Sequence, residues 1–386
     1  MLLTRLAAAE FGIVAIRSNS SKRTARIRDS AKIENWLMRI YQIDPTSDVR
    51  WSELVERHPK ASVFHTVSWL KALRQTYRYE PVVFTTSSPT SELKDGLLFC
   101  RIESWLTGHR LVSLPFSDHC EPLCDSGEDL NFLLGYLQTT MDRQNLKYLE
   151  VRPVNGNFGH VVEENGFRPA VMYYLHVLDL RRVLDDVFRS LDRDSVQRRI
   201  QRAERAGLTE KSGSSEDLLR EFYALFVMTR GRHHLPPIPY KWFRNLIQFH
   251  GQALEIRLAY KDSTPISAIL TLRCKDAVYY KYGCSDAQFN RFGAIPWLLW
   301  RAISAAKRNG ASKFDMGRTE EEHTGLLVFK NHWVSEPLRL IYWRFPGIPS
   351  LGSVNNWKLK VAKNLFSSMP GSLRTIAGKL IYRHIG

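Results

Sequence analysis

The chain has 386 residues, of which 44% are hydrophobic and 24% are charged. This length exceeds an ordinary domain of roughly 150 residues, and the hydrophobic fraction is that of a folded globular protein, which excludes a fibrous or largely disordered chain. The 55 lysines and arginines outnumber the 39 aspartates and glutamates, so the formal net charge is +16. Such an excess predicts an anionic partner, such as nucleic acid, anionic lipid or a phosphorylated substrate. The alternative is a surface charge that only keeps the protein soluble.

The five cysteines have irregular spacing, which predicts no disulfide framework and favours a reducing, cytoplasmic compartment. The stretch "DHCEPLC" brings together Asp118, His119, Cys120 and Cys124. No second Cys/His pair follows at zinc-site spacing, so we expect no metal site. No apolar run approaches the roughly 18 residues that a membrane span requires.

The chain begins with a stretch that is only weakly signal-like. Arg5 and Glu10 interrupt its apolar residues, which argues against a cleaved signal peptide. We therefore interpret residues 1–47 as a basic N-terminal extension.

The first unit, predicted over residues 48–178, mixes helices with strands. Trp51, Leu54 and Val55 keep helical spacing, and a second amphipathic helix covers 68–77. Hydrophobic runs bounded by turn residues then predict further elements. These are strands at 81–86, 96–102, 111–115 and 147–154, and a helix at 129–145.

The second unit, predicted over residues 179–346, repeats this order. Its first helices include one that ends at Gly207 and one that begins after Ser215 as N-cap. Pro296 occupies the first turn of another helix, as prolines often do. The remaining elements are a helix at 240–250, strands at 254–260, 265–273 and 277–283, a helix at 295–309, and a strand in "SKFDMG". Antiparallel strands, a helix and a further strand are typical of an α+β fold.

Residues 347–386 contain no acidic residue, and two short amphipathic helices are predicted around Pro370 and Gly371. A basic amphipathic tail can lie on an anionic membrane surface. The alternative is that both helices pack on the domain and expose their lysines.

Four stretches of the second half carry a resemblance to a known family. They are "HVLDLRRVLDDVF" with "VQRRIQRAERAGL", "MTRGRHHLPPIPYKWF", "VYYKYGCSDAQFNRFGAIPWLLWRAISAAKRNGASKFDMGR" and "TGLLVFKNHW". In this order they resemble the FemAB-like branch of the GNAT acyltransferases, also called the BioF2-like acetyltransferase domain. The exopolysaccharide-locus (PEP-CTERM system-associated) FemAB-related branch is a candidate within it.

The resemblance implies two GNAT-like subdomains, each a mixed, mostly antiparallel sheet flanked by helices. It also implies acyl or aminoacyl transfer to an amine. Some members of the family add amino acids from aminoacyl-tRNA to cell-wall precursors, and others serve surface-polymer loci. The donor would be a co-substrate, aminoacyl-tRNA or acyl-CoA, and no bound cofactor is expected. Acetyl-CoA enzymes of this fold usually carry a [Q/R]-x-x-G-x-[G/A] turn, and "QFNRFGAIPW" matches it poorly.

Three residues are the candidate catalytic groups. Arg318 follows a core strand, where its guanidinium can hold a phosphate or carboxylate. Lys330 follows Phe329, and an aromatic face beside a cation suits a nucleotide base and its phosphate. The family links this Phe-Lys pair to the acyl-donor end. Asp118 lies at the place where the family has an aspartate, and it could accept or orient the amine proton, with His119 as second choice. The alternatives are core packing for Phe329, a solvated Lys330 and a turn-capping Asp118.

Further candidates lie on other elements. Arg232 and His233 precede a proline-rich loop and could clamp an acceptor pyrophosphate, or they could be surface decoration. Tyr280 and Tyr282 alternate along a strand, so they are predicted to share one face and could bind substrate, although buried strand tyrosines are common. One helix carries a basic face that could contact tRNA phosphates or anionic lipid, or could simply be solvated. Its residues are Arg198, Arg199 and Arg202.

The sequence thus predicts a cytoplasmic N-acyltransferase, peripheral on the inner face of the membrane through its tail. Its acceptor would be an amine on a cell-envelope precursor or surface polysaccharide. One alternative is an acetyl-CoA-dependent N-acetyltransferase. Another is a non-catalytic protein of this fold that binds membrane or nucleic acid.

Overall fold

The computed structural model describes residues 39–347 except 106 and 155, together with Tyr382 and His384. Most helices and strands of this part of the chain match predicted elements. The strands Tyr41–Ile43, Thr209–Gly213 and Leu338–Phe345 and the helices Gly156–Glu164 and Thr324–Asn331 were not predicted. The strands are β1 Tyr41–Ile43, β2 Glu80–Thr85, β3 Leu97–Ser104, β4 Gly108–Val112, β5 Leu146–Val151, β6 Arg168–Asp179, β7 Thr209–Gly213, β8 Leu254–Lys261, β9 Thr264–Cys274, β10 Ala277–Ser285, β11 Lys313–Glu320 and β12 Leu338–Phe345. The helices are α1 Val49–Arg57, α2 Val67–Tyr77, α3 Gly127–Thr140, α4 Gly156–Glu164, α5 Leu184–Ser190, α6 Arg198–Arg205, α7 Glu216–Arg232, α8 Tyr240–His250, α9 Ala294–Arg308 and α10 Thr324–Asn331.

All of these strands join in one twelve-stranded sheet of order β1-β2-β3-β4-β5-β12-β6-β11-β10-β9-β8-β7. Neighbouring strands are antiparallel except for two pairs, β4 with β5 and β10 with β11. A mostly antiparallel sheet flanked by helices confirms the predicted fold class. The finding that the sequence did not predict is the continuity of the sheet across both units.

The two units are joined at the centre of the sheet by an exchange of strands. β6, which precedes the second unit in the chain, pairs with β11 of that unit. β12, the last strand, returns to pair with β5 of the first unit and with β6. Loops of the first unit are thereby held beside strands of the second. The predicted boundary at residues 178 and 179 falls next to the end of β6 and stays a prediction.

The parallel pair β10–β11 parts early. The two strands pair only from Ala277 and Lys313 to Tyr279 and Asp315, although both strands continue beyond these residues. A register shift interrupts each strand at this point, after Tyr280 in β10 and after Asp315 in β11. A bulge of this kind redirects side chains locally. The chain therefore opens a gap in the middle of its sheet.

Hydrophobic cores cover both faces of the second unit's strands. On the first face, α7, α8, α1 and α2 enclose a core that includes Trp69, Trp242 and Phe64. On the second face, α5, α6 and α9 enclose a core that includes Phe314 and Trp297. Burying such side chains contributes about 1.5–3 kcal/mol each. The strands that flank the gap are therefore held firmly from both sides.

Local signals in the sequence are confirmed where they rest on capping chemistry. Ser215 caps α7 by accepting a hydrogen bond from the Leu218 amide. Gly207 follows the C-cap of α6 with φ of +66°, a backbone conformation that favours glycine. Pro296 lies in the first turn of α9, where its missing N–H costs nothing.

Some predicted boundaries differ from the structure. The strand predicted at 111–115 is β4, and it ends at Val112 because the chain turns at Ser113 into the loop that carries Asp118. The helix predicted at 129–145 ends at Thr140. β1 lies within the stretch interpreted as an extension, because it pairs with β2. The two helices of the tail fall outside the described residues, apart from Tyr382 and His384.

Candidate functional site

The loop that carries Asp118 is fixed over the gap between β10 and β11. Buried Arg152 donates to the carbonyl oxygens of Leu114 and Ser117. The Tyr342 hydroxyl donates to the Asp118 carbonyl oxygen at 2.6 Å. Because Arg152 and Tyr342 lie in and beside the central strands, the exchanged strand β12 helps to place Asp118. The carboxylate of Asp118 consequently has a defined position.

Two cations hold the Asp118 carboxylate. Lys281, in the bulge of β10, donates from Nζ to Oδ2 at 2.9 Å. Arg318, beyond the bulge of β11, brings Nε to 3.7 Å from Oδ1. The Arg318 guanidinium also lies over the ring of Tyr173, 4.1 Å from its centroid, and its Nη1 is buried with no hydrogen-bond partner. A guanidinium with a spare donor can receive an anionic or carbonyl oxygen of a ligand.

Lys330 approaches the same gap from α10. Its ammonium donates to the carbonyl oxygens of Gly317 at 2.9 Å and Arg318 at 3.1 Å. An ammonium has three N–H donors, so one remains for a further acceptor. Only 4% of Lys330 is exposed. The alternative of a solvated surface lysine is therefore wrong, and the role of Lys330 in a site stays a prediction.

Gly317 allows the loop that carries Asp118 to lie close to β11. Its φ of +73° favours glycine, and a Cβ at this position would lie 3.2 Å from Asp118 Oδ2. Its amide donates to Asp315 Oδ1 at 2.7 Å, which stabilises the bulge. The other oxygen of Asp315 lies 3.1 Å from His119 Nε2. Gly317 therefore lets the acidic loop and β11 approach one another closely.

The electrostatics of this cluster favour an anion. Three cations, Lys281, Arg318 and Lys330, face two carboxylates, Asp118 and Asp315. Burial raises the pKa of Asp118, but the positive charges of Lys281 and Arg318 outweigh burial and hold it below its ordinary value. Burial lowers the pKa of Lys281 despite its pairing with Asp118. Burial also lowers the pKa of Lys330 to about 8, although Asp118 and Asp315 oppose the shift. We name these five residues the central cluster.

Other predicted residues lie apart from the central cluster. Phe329 packs in the second-face core beside Trp333, as the core-packing alternative predicts. Tyr280 also packs on the second face, whereas Tyr282 packs on the first face and accepts a hydrogen bond from Trp242. The prediction that both tyrosines share one face is wrong, because the bulge at Lys281 interrupts the alternation of the strand.

The remaining basic residues that the sequence predicted as binding groups are exposed. Arg232 donates to the Ser285 carbonyl oxygen at the end of β10, and His233 is the C-cap of α7. Arg198 pairs with Asp194 at 2.6 Å on the surface of α6. Arg202 donates to the Arg291 carbonyl oxygen, and the Arg199 side chain is exposed. No contact links these residues to the central cluster, and their roles stay predictions.

The turn before α9 is closely covered. Gly293 is the N-cap of α9, and a Cβ on it would lie 2.6 Å from the backbone oxygen of Arg199 in α6. Gly293 and Ala294 are both buried. The place where acetyl-CoA enzymes of this fold cradle a pyrophosphate is thus packed against α6.

Lys281 and Asp315 were not predicted as site residues. A signal for Lys281 existed, since "VYYKYG" places a lysine among aromatic residues of a strand whose neighbours are buried. A buried lysine requires a partner, but the sequence does not say which. Within the described residues, no three His, Cys, Asp or Glu side chains converge in a metal-binding arrangement. No helix there is long and apolar enough to cross a bilayer.

Part of the chain matches a known family by sequence, and this part includes residues of the central cluster. Residues 191–325 match the family model described as "Acetyltransferase (GNAT) domain". This range contains Lys281, Asp315 and Arg318. No curated protein is significantly similar to the chain in sequence.

Solved structures share the fold at low sequence identity. FemX covers 84% of this chain and 100% of its own, with 14% identity and a TM-score of 0.62. L-PGS from Bacillus licheniformis covers 78% of this chain and 93% of its own, with 14% identity and a TM-score of 0.53. A tandem GNAT protein from the clavulanic acid biosynthesis pathway covers 81% of this chain and 99% of its own, with 9% identity and a TM-score of 0.50. Residues 191–325 are thus a GNAT-type acetyltransferase domain by sequence, and the chain shares the fold of FemX, in agreement with the FemAB-like resemblance.

Proposed function

We propose that the chain transfers an acyl or aminoacyl group to an amine of a cell-envelope precursor or surface polysaccharide, with the central cluster as its reaction site. The observation that supports this proposal most is the convergence of three cations, the buried Lys281 and Lys330 side chains and the partly buried Arg318, around Asp118 at the gap between β10 and β11. Burying a charged side chain costs folding free energy, so a cluster of buried charges is expected where a reaction depends on those charges. The FemAB-like resemblance supplies the class of acceptor.

The chemistry follows from the donors present. An amine attacks the carbonyl carbon of an ester or thioester, and negative charge develops on the carbonyl oxygen. The spare donors of Lys330 and Arg318 can stabilise that charge in a site largely shielded from water. The bond from the acyl carbon to the donor's oxygen or sulfur then breaks, and the leaving atom takes up a proton. Lys330 suits that proton transfer, because its pKa of about 8 lets it give up a proton more readily than an ordinary lysine.

Asp118 has a different role from a general base. Its pKa is below the ordinary value, so it accepts a proton poorly at neutral pH. A fixed carboxylate can instead orient the acceptor's amine and keep Lys281 and Arg318 in place. Of the two tasks considered for Asp118, orientation is therefore favoured.

Aminoacyl-tRNA is the donor that we favour, and the packing of α6 on Gly293 supports this choice over acetyl-CoA. The exposed arginines of α6 and the overall charge of +16 are suited to tRNA phosphates. An acetyl-CoA-dependent N-acetyltransferase is the second candidate, favoured by the description of the matched domain. Peripheral contact with the inner face of the membrane through the tail stays part of the proposal.

Ligand-induced stabilisation tests the proposal. A ligand that binds only the native state raises the melting temperature by mass action. We expect mixed aminoacyl-tRNA to raise it and deacylated tRNA to raise it less, with undecaprenyl-linked sugar precursors adding a further shift. Stabilisation by acetyl-CoA alone would favour the second candidate. No shift with any of these ligands would leave a non-catalytic binding protein as the better hypothesis.

A further inference from the structure

We propose that His119, oriented by Asp315, is the general base of the transfer reaction, and that the cavity beside it binds the amine-bearing end of the acceptor. This inference rests on the proposed function and deepens it, because the central cluster itself holds no suitable base. Asp118 is engaged by two cations, and Lys330 is buried as a hydrogen-bond donor.

Asp315 orients His119. The carboxylate accepts the Gly317 amide proton at Oδ1 and lies 3.1 Å from His119 Nε2 at Oδ2. An ionised carboxylate has only acceptor oxygens, so Nε2 of the imidazole must be the protonated nitrogen. The lone pair of neutral His119 then lies on Nδ1, which has no hydrogen-bond partner among the described residues. A base oriented by a carboxylate is the arrangement that activates nucleophiles in many transferases and hydrolases.

Neighbouring rings hold His119 in this orientation. The ring of Phe64 meets the imidazole edge-on at a centroid distance of 5.2 Å, and the tilted ring of Tyr279 lies at a centroid distance of 6.4 Å. Only 7% of His119 is exposed. The imidazole therefore keeps a single position, as a base that must meet its substrate at a defined atom requires.

The small exposed part of His119 lines a cavity of about 290 Å³ between the two units. Its walls combine apolar side chains of the exchanged strands, such as Leu175, Val177 and Leu338, with the polar groups of Glu121 and Asp315. Lys60 and Lys313 also line the cavity, but the Lys60 ammonium donates to the Cys124 carbonyl oxygen and the Lys313 ammonium lies 3.8 Å from Asp276. Apolar walls with the carboxylates of Glu121 and Asp315 fit a primary amine on a short carbon chain. The cavity adjoins the central cluster, because Asp315 belongs to both and attracts the charges of Lys330 and Lys281.

The proton balance is complete with the groups present. The amine, once neutral, forms a bond from its nitrogen to the acyl carbon, and its surplus proton passes to Nδ1 of His119. The carbon–oxygen or carbon–sulfur bond of the donor breaks, and the leaving atom takes its proton from Lys330. Solvent then removes the proton from His119 and returns one to Lys330. Asp315 keeps its charge throughout and acts as a positioning residue.

Histidine NMR on the full chain tests the tautomer without a donor. We expect neutral His119 to carry its proton on Nε2, and Asp315→Asn to move the proton to Nδ1, since an amide can offer a donor to Nε2. Ethanolamine should shift the His119 resonances and leave those of His250 unchanged. A proton on Nδ1 in the wild type would overturn the proposal, and so would an absence of any ethanolamine effect on His119.

Chemical rescue tests the role in transfer. His119→Ala should lose about 10²–10⁴-fold in the transfer rate, as removal of a general base does. Added imidazole should restore at least about tenfold in His119→Ala, and it should not affect Lys330→Met. The control His250→Ala, which removes a half-buried histidine on α8, should keep the wild-type rate. Retention of activity by His119→Ala would refute the base assignment. A wild type that transfers nothing would refute the proposed function. The NMR experiment would still show, independently of transfer, which nitrogen of His119 carries the proton and whether an amine binds beside it.

Discussion

Replacement of Lys281 by methionine tests whether the central cluster is electrostatically coupled. The change keeps the length of the side chain and removes its charge, so Asp118 loses its 2.9 Å partner. Arg318 remains at 3.7 Å. The two side chains of the Lys281–Asp118 pair are only 7% and 15% exposed, so solvent screens the pair little.

The expected cost follows from this geometry. Coulomb attraction at 2.9 Å is about 6 kcal/mol at an effective dielectric constant of about 20. Removal of one partner from a buried ion pair typically costs about 3–5 kcal/mol, because the remaining charge is left without compensation. We expect Lys281→Met to lower the free energy of unfolding by that amount at pH 7.5. The double variant with Asp118→Asn should recover most of the loss.

The loss should also depend on pH. With Lys281 removed, only Arg318 and Lys330 oppose the effect of burial, and we expect the pKa of Asp118 to rise above its ordinary value. A group whose folded-state pKa is raised stabilises the folded state at low pH, and this stabilisation is lost as the pH rises through the folded-state pKa. The wild-type Asp118 has a lowered pKa and behaves oppositely. The difference between wild type and Lys281→Met should therefore shrink from pH 7.5 to pH 5.

Urea denaturation followed by tryptophan fluorescence measures these differences. The matched control is Lys261→Met, since Lys261 also lies 2.9 Å from a carboxylate, that of Asp262, but this pair is 26% and 79% exposed. The control should cost less than about 1 kcal/mol. Equal losses in Lys281→Met, the double variant and the control would show that the buried charge pair of Lys281 and Asp118 is not the cause of the lost stability.

Two further predictions concern Lys330 and Gly317. The pKa of Lys330 is about 8 in the folded state against 10.5 as its ordinary value, so the unfolded chain binds more protons between these values and stability should rise with pH there. Between pH 8 and 10.5, wild type should gain roughly 3 kcal/mol relative to Lys330→Met, and parallel stability curves would contradict this. Gly317→Ala should cost at least about 1–2 kcal/mol and reduce transfer, because φ is +73° and the methyl group meets Asp118. In Gly310→Ala, with φ of +82° and open space, only the backbone cost should appear and transfer should be unchanged, as unfolding and activity measurements can show.

The sequence predicted the parts of the fold that rest on local chemistry. Hydrophobic periodicity indicated most helices and strands, and Ser215, Gly207 and Pro296 marked helix ends correctly because capping depends on neighbouring residues alone. The exchange of β6 and β12 could not be predicted in this way. Strand order depends on contacts between residues far apart in the chain, and a hydrophobic strand fits beside several partners.

The candidate site shows the same division. Asp118 and Lys330 were predicted with the help of a family resemblance and Arg318 from its place at the end of a core strand, and the structure brings the three together. Lys281 was missed, because its importance comes from a partner more than 160 positions earlier in the chain. Tyr280 and Tyr282 were predicted to share one face from the regular alternation of a strand. This alternation fails at the bulge, and the residues "YYKYG" give no signal of a bulge. Residues that act through long-range charge pairs thus needed the three-dimensional structure.

The rates of amide formation by wild type and Lys330→Met show whether the central cluster is the reaction site. Radiolabelled aminoacyl-tRNA and, separately, labelled acetyl-CoA would be offered with an amine-bearing lipid-linked envelope precursor, and with hydroxylamine as a general acceptor. We expect transfer by the wild type and a loss of at least about 100-fold in Lys330→Met, with urea denaturation showing that the variant remains folded. Wild-type rates in a folded Lys330→Met would contradict the assignment of the central cluster as the reaction site.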